Sequence, residues 1–206
     1  MEMEPRAAIE LCLREHERVS STLSDLDDST ARRPSRLPGW TVGHVVTHLA
    51  RNADGHIRRL EGALIGVEVS RYPGGPEQRD REIDEAEGRT AAEIVRDFND
   101  TAARLEAVWA RSEQAGWPHS ELRGPDRFDT SGSPLRRLRE VEVHHVDLGL
   151  GYEPTDWPAE YVEWELPTTL ARLPERLVDE HATALLLAWM IGRSPSPEGV
   201  ELRPWM

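Results

Sequence analysis

The chain has 206 residues, 31% charged and 38% hydrophobic, enough for one good core or for one domain with a smaller appendage. Acidic residues outnumber basic ones 38 to 25, a formal net charge of −13, and Arg136, Arg137 and Arg139 are diluted by Glu140 and Glu142, so no local basic face stands out. Such a chain repels phosphate backbones and anionic bilayers, and neither nucleic acid nor a membrane surface is expected as a partner.

The N-terminus, M-E-M-E-P-R-A-A, lacks the basic start and apolar run of a signal peptide, and the longest apolar run, Ala182 to Ile191, is too short to span a bilayer. A cytoplasmic protein is expected. The single cysteine, Cys12, leaves no internal disulfide and no cysteine-rich zinc knuckle.

Residues 6 to 27 read as a first helix, with Ile9, Cys12, Leu13, His16, Val19, Leu23 and Leu26 at helical spacing. Cys12 and His16 lie on that stripe and are expected in the core. Ser29 to Gly39 is a connection punctuated by Pro34 and Pro38. Thr41 then caps a second helix running to about Leu64, with Trp40 packing before it and Val42, Val45, Val46, Leu49 and Ala50 on its inner side. His44, His48, Asn52 and His56 form a row at fours. A helix drifts by about 40° over each such step, so the whole row cannot face one point. His56, close to Arg58 and Arg59, is expected in solvent.

Gly66 to Thr90 reads as a long irregular loop, its Arg71 or Arg79 available to aim a guanidinium at a site. Ala91 to Ala110 carries the cleanest stripe in the chain, Ile94, Val95, Phe98, Ala102, Leu105, Val108 and Trp109. After a polar loop from Gly116, Ser133-Pro134 starts a fourth helix that Gly149 and Gly151 stop, although Val141, Val143 and Val146 favour a strand locally. Four such helices make an all-α four-helix bundle. Residues 1–152 form the bundle domain and 153–206 a small C-terminal region with a last helix near His181 to Ile191.

The chemistry sits on two of these helices. Glu140 and His144, four apart, stack on one face of the fourth helix, and His44 and His48 have the same spacing on the second. Such a pair is often plain packing, but two pairs bordered by apolar residues can offer two imidazoles and a carboxylate to one metal ion. Three protein ligands leave a coordination position open, as catalytic sites require. On the second helix His48, amid the apolar segment, is preferred and His44 is the alternative.

The stretches L-P-G-W-T-V-G-H-V-V-T-H-L-A-R-N-A-D, Y-P-G-G-P-E-Q-R-D-R-E-I and R-E-V-E-V-H-H-V-D-L-G-L-G-Y, with L-L-L-A-W-M-I-G-R at 185 to 193, together resemble the mycothiol-dependent maleylpyruvate isomerase family, a branch of the DinB/YfiT-like four-helix metalloproteins. The resemblance spans roughly residues 5 to 155 and resumes at the last motif. It implies a divalent metal, usually zinc, held by residues matching His48, Glu140 and His144. It also implies mycothiol as thiol cosubstrate in an actinobacterial cytosol, and an activity-supporting arginine matched by Arg193. The interval from Ala159 to Ala184 is short and proline-marked beside the family's C-terminal domain, so a cut-down appendage is expected.

On this reading a metal-activated thiol adds to the cis double bond of maleylpyruvate or a similar unsaturated acid, and elimination after rotation gives the trans isomer. Arg79 and Arg193 are the candidates to hold its carboxylates, and Asp147 is a candidate to orient the His144 imidazole. The rival readings are a mycothiol S-transferase acting on an electrophilic metabolite or xenobiotic and a non-catalytic binding or regulatory member of the superfamily.

Overall fold

The apolar stripes fold as helices whose inner faces meet. The computed structural model describes residues 3–118 and 129–194, which divide between two compact units, Met3–Trp157 and the chain from Pro158 onward. In the first unit the long helices are α1 (Pro5–Thr22), α3 (Val42–Leu64), α5 (Ala91–Gln114) and α6 (Ser133–Asp147), with a single turn α2 (Asp28–Ala31) and a shorter α4 (Gly75–Asp84). Helices α1 and α3 each pack against both α5 and α6, which closes the four into a bundle. Among the described residues there is no strand, only an isolated bridge between Pro34 and Thr41. No described helix is long and apolar enough to cross a membrane.

The core is the sum of the four stripes. Val19 and Leu23 of the first stripe, Val42, Val45, Val46 and Leu49 of α3, Ile94 and Phe98 of α5 and Val141 of α6 pack in one buried cluster. A polar column runs beside it. Arg137 is completely buried and donates to the Leu49 carbonyl (2.7 Å), Asn52 Oδ1 (3.0 Å) and His16 Nε2 (3.1 Å). His16 Nδ1 lies 3.3 Å from Glu106 Oε1. With Arg137 donating to Nε2, Nδ1 carries the proton and the ring is neutral. Burial, above all, holds its pKa down to about 4. Cys12, fully buried, has its thiol pushed far up by the same desolvation, which removes it as a nucleophile.

Two segments differ from the sequence reading. The stretch read as an irregular loop contains α4 and a 3₁₀ turn, Glu85–Gly88. Gln78 Oε1 accepts the Gly74 N–H at 2.6 Å, Gln78 Nε2 reaches Glu82 one turn on at 2.6 Å, and Pro76 stands in the first turn. Helix α4 buries only Ile83, so it has almost no apolar stripe for periodicity to detect. The second is the start of α6, where Gly132 is the N-cap and no side chain caps. Ser133 Oγ instead lies 2.8 Å from His56 Nδ1 and accepts from Trp109 Nε1 at 3.0 Å.

In the second unit α7 spans Ala159–Arg176 and α8 spans Glu180–Met190. Helix α7 carries Pro167 and Pro174 in its interior, each costing one backbone hydrogen bond, which is why a sequence reading sees only breaks there. Asp179 caps α8 by accepting the Ala182 N–H at 2.7 Å.

Candidate metal centre

Thr41 begins α3 with a reciprocal cap. Its hydroxyl accepts the His44 N–H at 3.3 Å while the Thr41 N–H donates to His44 Nδ1 at 3.1 Å. That bond ties the His44 ring back over the helix start. One turn on, His48 has no such duty, and its side chain, almost fully buried, is aimed across the bundle at α6.

There His48 Nε2 lies 3.0 Å from Glu140 Oε2, and His144 Nε2 lies 3.5 Å from the same oxygen. One ligand atom from each of the three residues falls within 4.8 Å of the other two. The two rings meet edge to face at 4.6 Å. The Glu140 side chain is 23% accessible and that of His144 12%, so the cluster opens to one side. Two imidazole nitrogens and one carboxylate oxygen are the donor set that zinc accepts, and one ion can satisfy all three.

The electrostatics divide the pair. Burial, reinforced by the nearby His144 and Arg79 charges, holds the His48 pKa down to about 4 against its bond to Glu140, so this ring is neutral. Burial opposes the His144 charge too, but hydrogen bonds to Asp147 and Glu140 outweigh it and carry this pKa up to about 8. Those two histidines also outweigh burial at Glu140 and hold its carboxyl well below the usual range. A cation held by these three residues would take the place of the His144 proton.

Asp147 Oδ2 lies 2.8 Å from His144 Nδ1, which fixes the imidazole with Nε2 towards Glu140. Asp147→Ala is expected to weaken zinc binding about 10- to 100-fold with little loss of helicity, measured by competition with a chromophoric chelator. An unchanged zinc affinity would remove Asp147 from the site.

Arg79, on α4, reaches the cluster from a third side. Its Nη2 lies 3.3 Å from His48 Nδ1, and its guanidinium carbon stands 5.9 Å from the Trp40 ring. Trp40 also leans on His48, centroids 5.5 Å apart. The structure therefore brings His48, Glu140, His144 and Arg79 together in the first unit. Arg193 follows α8 in the second, its N–H bonded to the Ala188 carbonyl at 2.6 Å.

The sequence profile of the mycothiol maleylpyruvate isomerase N-terminal domain family matches residues 12–149. The chain belongs to this family. Among solved structures, the mycothiol-dependent maleylpyruvate isomerase is similar at 25% identity with a TM-score of 0.72, covering 78% of this chain and 67% of that one. A histidine-to-alanine mutant of the isomerase is similar at 25% identity, with a TM-score of 0.71 and the same coverage. No curated protein matches. Within this maleylpyruvate isomerase family domain, two features were not foreseen. His56, expected in solvent, is 4% exposed and bonded to Ser133. Four arginines distant in sequence, Arg59, Arg71, Arg136 and Arg139, line one cavity with Gly55, His56 and Glu140.

Proposed function

We propose that this chain is an enzyme that binds one divalent metal, zinc by its donor set, through His48, Glu140 and His144. It uses mycothiol as cosubstrate to isomerise maleylpyruvate or a similar cis unsaturated acid. The observation that carries the reading is the convergence of those three side chains, partly open to solvent, in a member of this family. When bound there, zinc supplies Lewis acidity that lowers the pKa of a thiol and favours thiolate near neutral pH. The protein then needs no cysteine of its own, in keeping with the inert Cys12.

In the reaction the sulfur forms a C–S bond to one alkene carbon as the π electrons move onto the conjugated carbonyl. Rotation about the new single bond, return of the electrons and loss of the thiolate give the trans acid and regenerate the thiol. Atoms and electrons balance without a redox partner.

The protein's part is placement. His48 must give up Nε2 to a metal, and its one ring proton then sits on Nδ1, facing a guanidinium that can only donate. Arg79 Nη2 thereby loses its acceptor and becomes available to a substrate carboxylate, while Nη1 stays on Asp80 Oδ1 at 2.8 Å. Asp147 keeps His144 oriented. Arg193, from the family's C-terminal motif, is the second proposed carboxylate partner.

The test is elemental analysis beside calorimetric titration with mycothiol, wild type against His48→Ala, followed by mass spectrometry of products from maleylpyruvate. One metal per chain, thiol binding that vanishes in His48→Ala, and a product of unchanged mass are expected. A thiol adduct as the end product would instead identify an S-transferase, and zinc binding without thiol binding a non-catalytic member.

A further inference from the structure

Beside the metal cluster, and sharing only Glu140 with it, lies the cavity of about 200 Å³ between the second half of α3, the segment after it and the first half of α6. Among the described residues its lining holds four arginines, Arg59, Arg71, Arg136 and Arg139, and one carboxylate, Glu140, which already receives His48 and His144. Arg71 is the telling member. Its backbone carbonyl accepts from Arg58 at 2.8 and 3.0 Å, and its guanidinium carbon lies 5.4 Å from the Tyr72 ring centroid. Its Nε is buried without a hydrogen bond, and no carboxylate among the described residues pairs with it. Burial and the charges of Arg139 and Arg71 together hold the Arg136 pKa below its ordinary value, against the pull of Asp129. A guanidinium N–H left without an acceptor at a cavity wall is a ready partner for an anion.

The fold makes room for this. The Arg71 side chain crosses α3 at Gly55, where an added Cβ would stand 2.6 Å from its Cγ and 3.2 Å from its Nε. Any residue but glycine there pushes the guanidinium out of its present place.

We propose that this cavity is a carboxylate subsite, in which Arg71, supported by Arg59, Arg136 and Arg139, binds one carboxylate of the acid substrate on the arginine side of the cavity, away from Glu140. Arg71 is a specificity-determining residue, and Gly55 is the position that seats it. The inference rests on the proposed function for the identity of the acid as substrate, but the anion site itself does not depend on bound metal. The volume suits a carboxylate and its neighbouring atoms, not a cofactor.

The experiment titrates maleate, its uncharged diamide and inorganic phosphate into the purified protein at low salt, with metal content measured in parallel. Wild type, Arg71→Gln, Gly55→Ala and His48→Ala are compared. Maleate is expected to bind wild type and, about equally, His48→Ala, whereas Arg71→Gln weakens it about tenfold or more. Gly55→Ala, which changes no charge, is expected to weaken it as well. The diamide does not bind, and 0.5 M salt abolishes the maleate signal. No maleate binding to wild type, equal binding in the Arg71 and Gly55 variants, or preference for phosphate would each overturn the subsite. Loss of maleate binding in His48→Ala alone would place the anion on the metal and overturn it too. Loss of metal in His48→Ala with maleate retained leaves the subsite standing, so failure of the metal reading and failure of the subsite give different patterns.

Discussion

Glu140→Ala is expected to lower zinc affinity and turnover with thiol and unsaturated acid together, each by about 100-fold or more, while the helices stay folded. The figure exceeds that for Asp147 because Glu140 is a direct donor and the only anionic one, where losing even an outer partner costs about 10- to 100-fold. Its carboxylate is also what both histidines share, so alanine removes the charge that a divalent ion meets and the bonds that hold His48 and His144 at their separation. The structural cost is small because the side chain is 23% accessible and the methyl that replaces it suits a helix. Elemental analysis, far-ultraviolet circular dichroism and a coupled product assay on the same preparation decide it. Full activity in a metal-free Glu140→Ala protein would sink the site.

The metal-free protein is expected to be most stable near pH 6.5 and to lose stability steeply below it. His16, His48 and His145 are each held down to about 4, mainly by burial, and His56 well below its ordinary value by the same cause. A base with a depressed folded pKa is protonated first in the unfolded chain, so stability falls as pH drops from about 6.5 towards 4. Glu142 acts in the opposite sense. Buried against Tyr152, it is pushed up to about 8, and its contribution, present at low pH, fades as pH rises from 4.5 to 8. His144, raised to about 8, likewise loses its contribution between 6.5 and 8.

Below pH 6.5, then, four protons oppose one. The net three give a slope of roughly 4 kcal/mol per pH unit at its steepest, a large part of the whole stability of a domain this size. Above it only Glu142 and His144 count, and the sign reverses. Urea unfolding at pH 5, 6.5 and 8 after chelation tests both limbs. A flat profile from pH 5 to 6.5 would mean that these histidines are solvated.

How much of this was legible depended on whether each interaction was local. The four long helices were written as apolar stripes, and Glu140 and His144 as a pair one turn apart. His48 was preferred to His44 from its place amid the apolar segment and from the family resemblance; the structure adds a cap in which His44 takes the place of the usual glutamate or glutamine, a substitution that pattern reading does not look for. His56 was misjudged from its arginine neighbours, because its partners Ser133 and Trp109 lie far along the chain. Helix α4 escaped because it buries only Ile83 and so carries no apolar stripe. The arginine cavity was hidden by an averaging error. Glu142 dilutes Arg139 in sequence but sits on another face of α6, its carboxylate 2.6 Å from the Tyr152 hydroxyl, so it neutralises nothing in the cavity.

The Ser133 hydroxyl, which does not cap its helix, gives the bundle a direction. Indole N–H can only donate, so Trp109 spends its hydrogen on Ser133 Oγ, and the one remaining acceptor for the serine proton among the described residues is His56 Nδ1. The chain of hydrogens runs outward from the core and leaves the His56 proton on Nε2. With that ring kept neutral far into the acid range, the wall of the cavity holds one partner whose polarity is set by a tryptophan two bonds away and not by the pH of the surrounding solution.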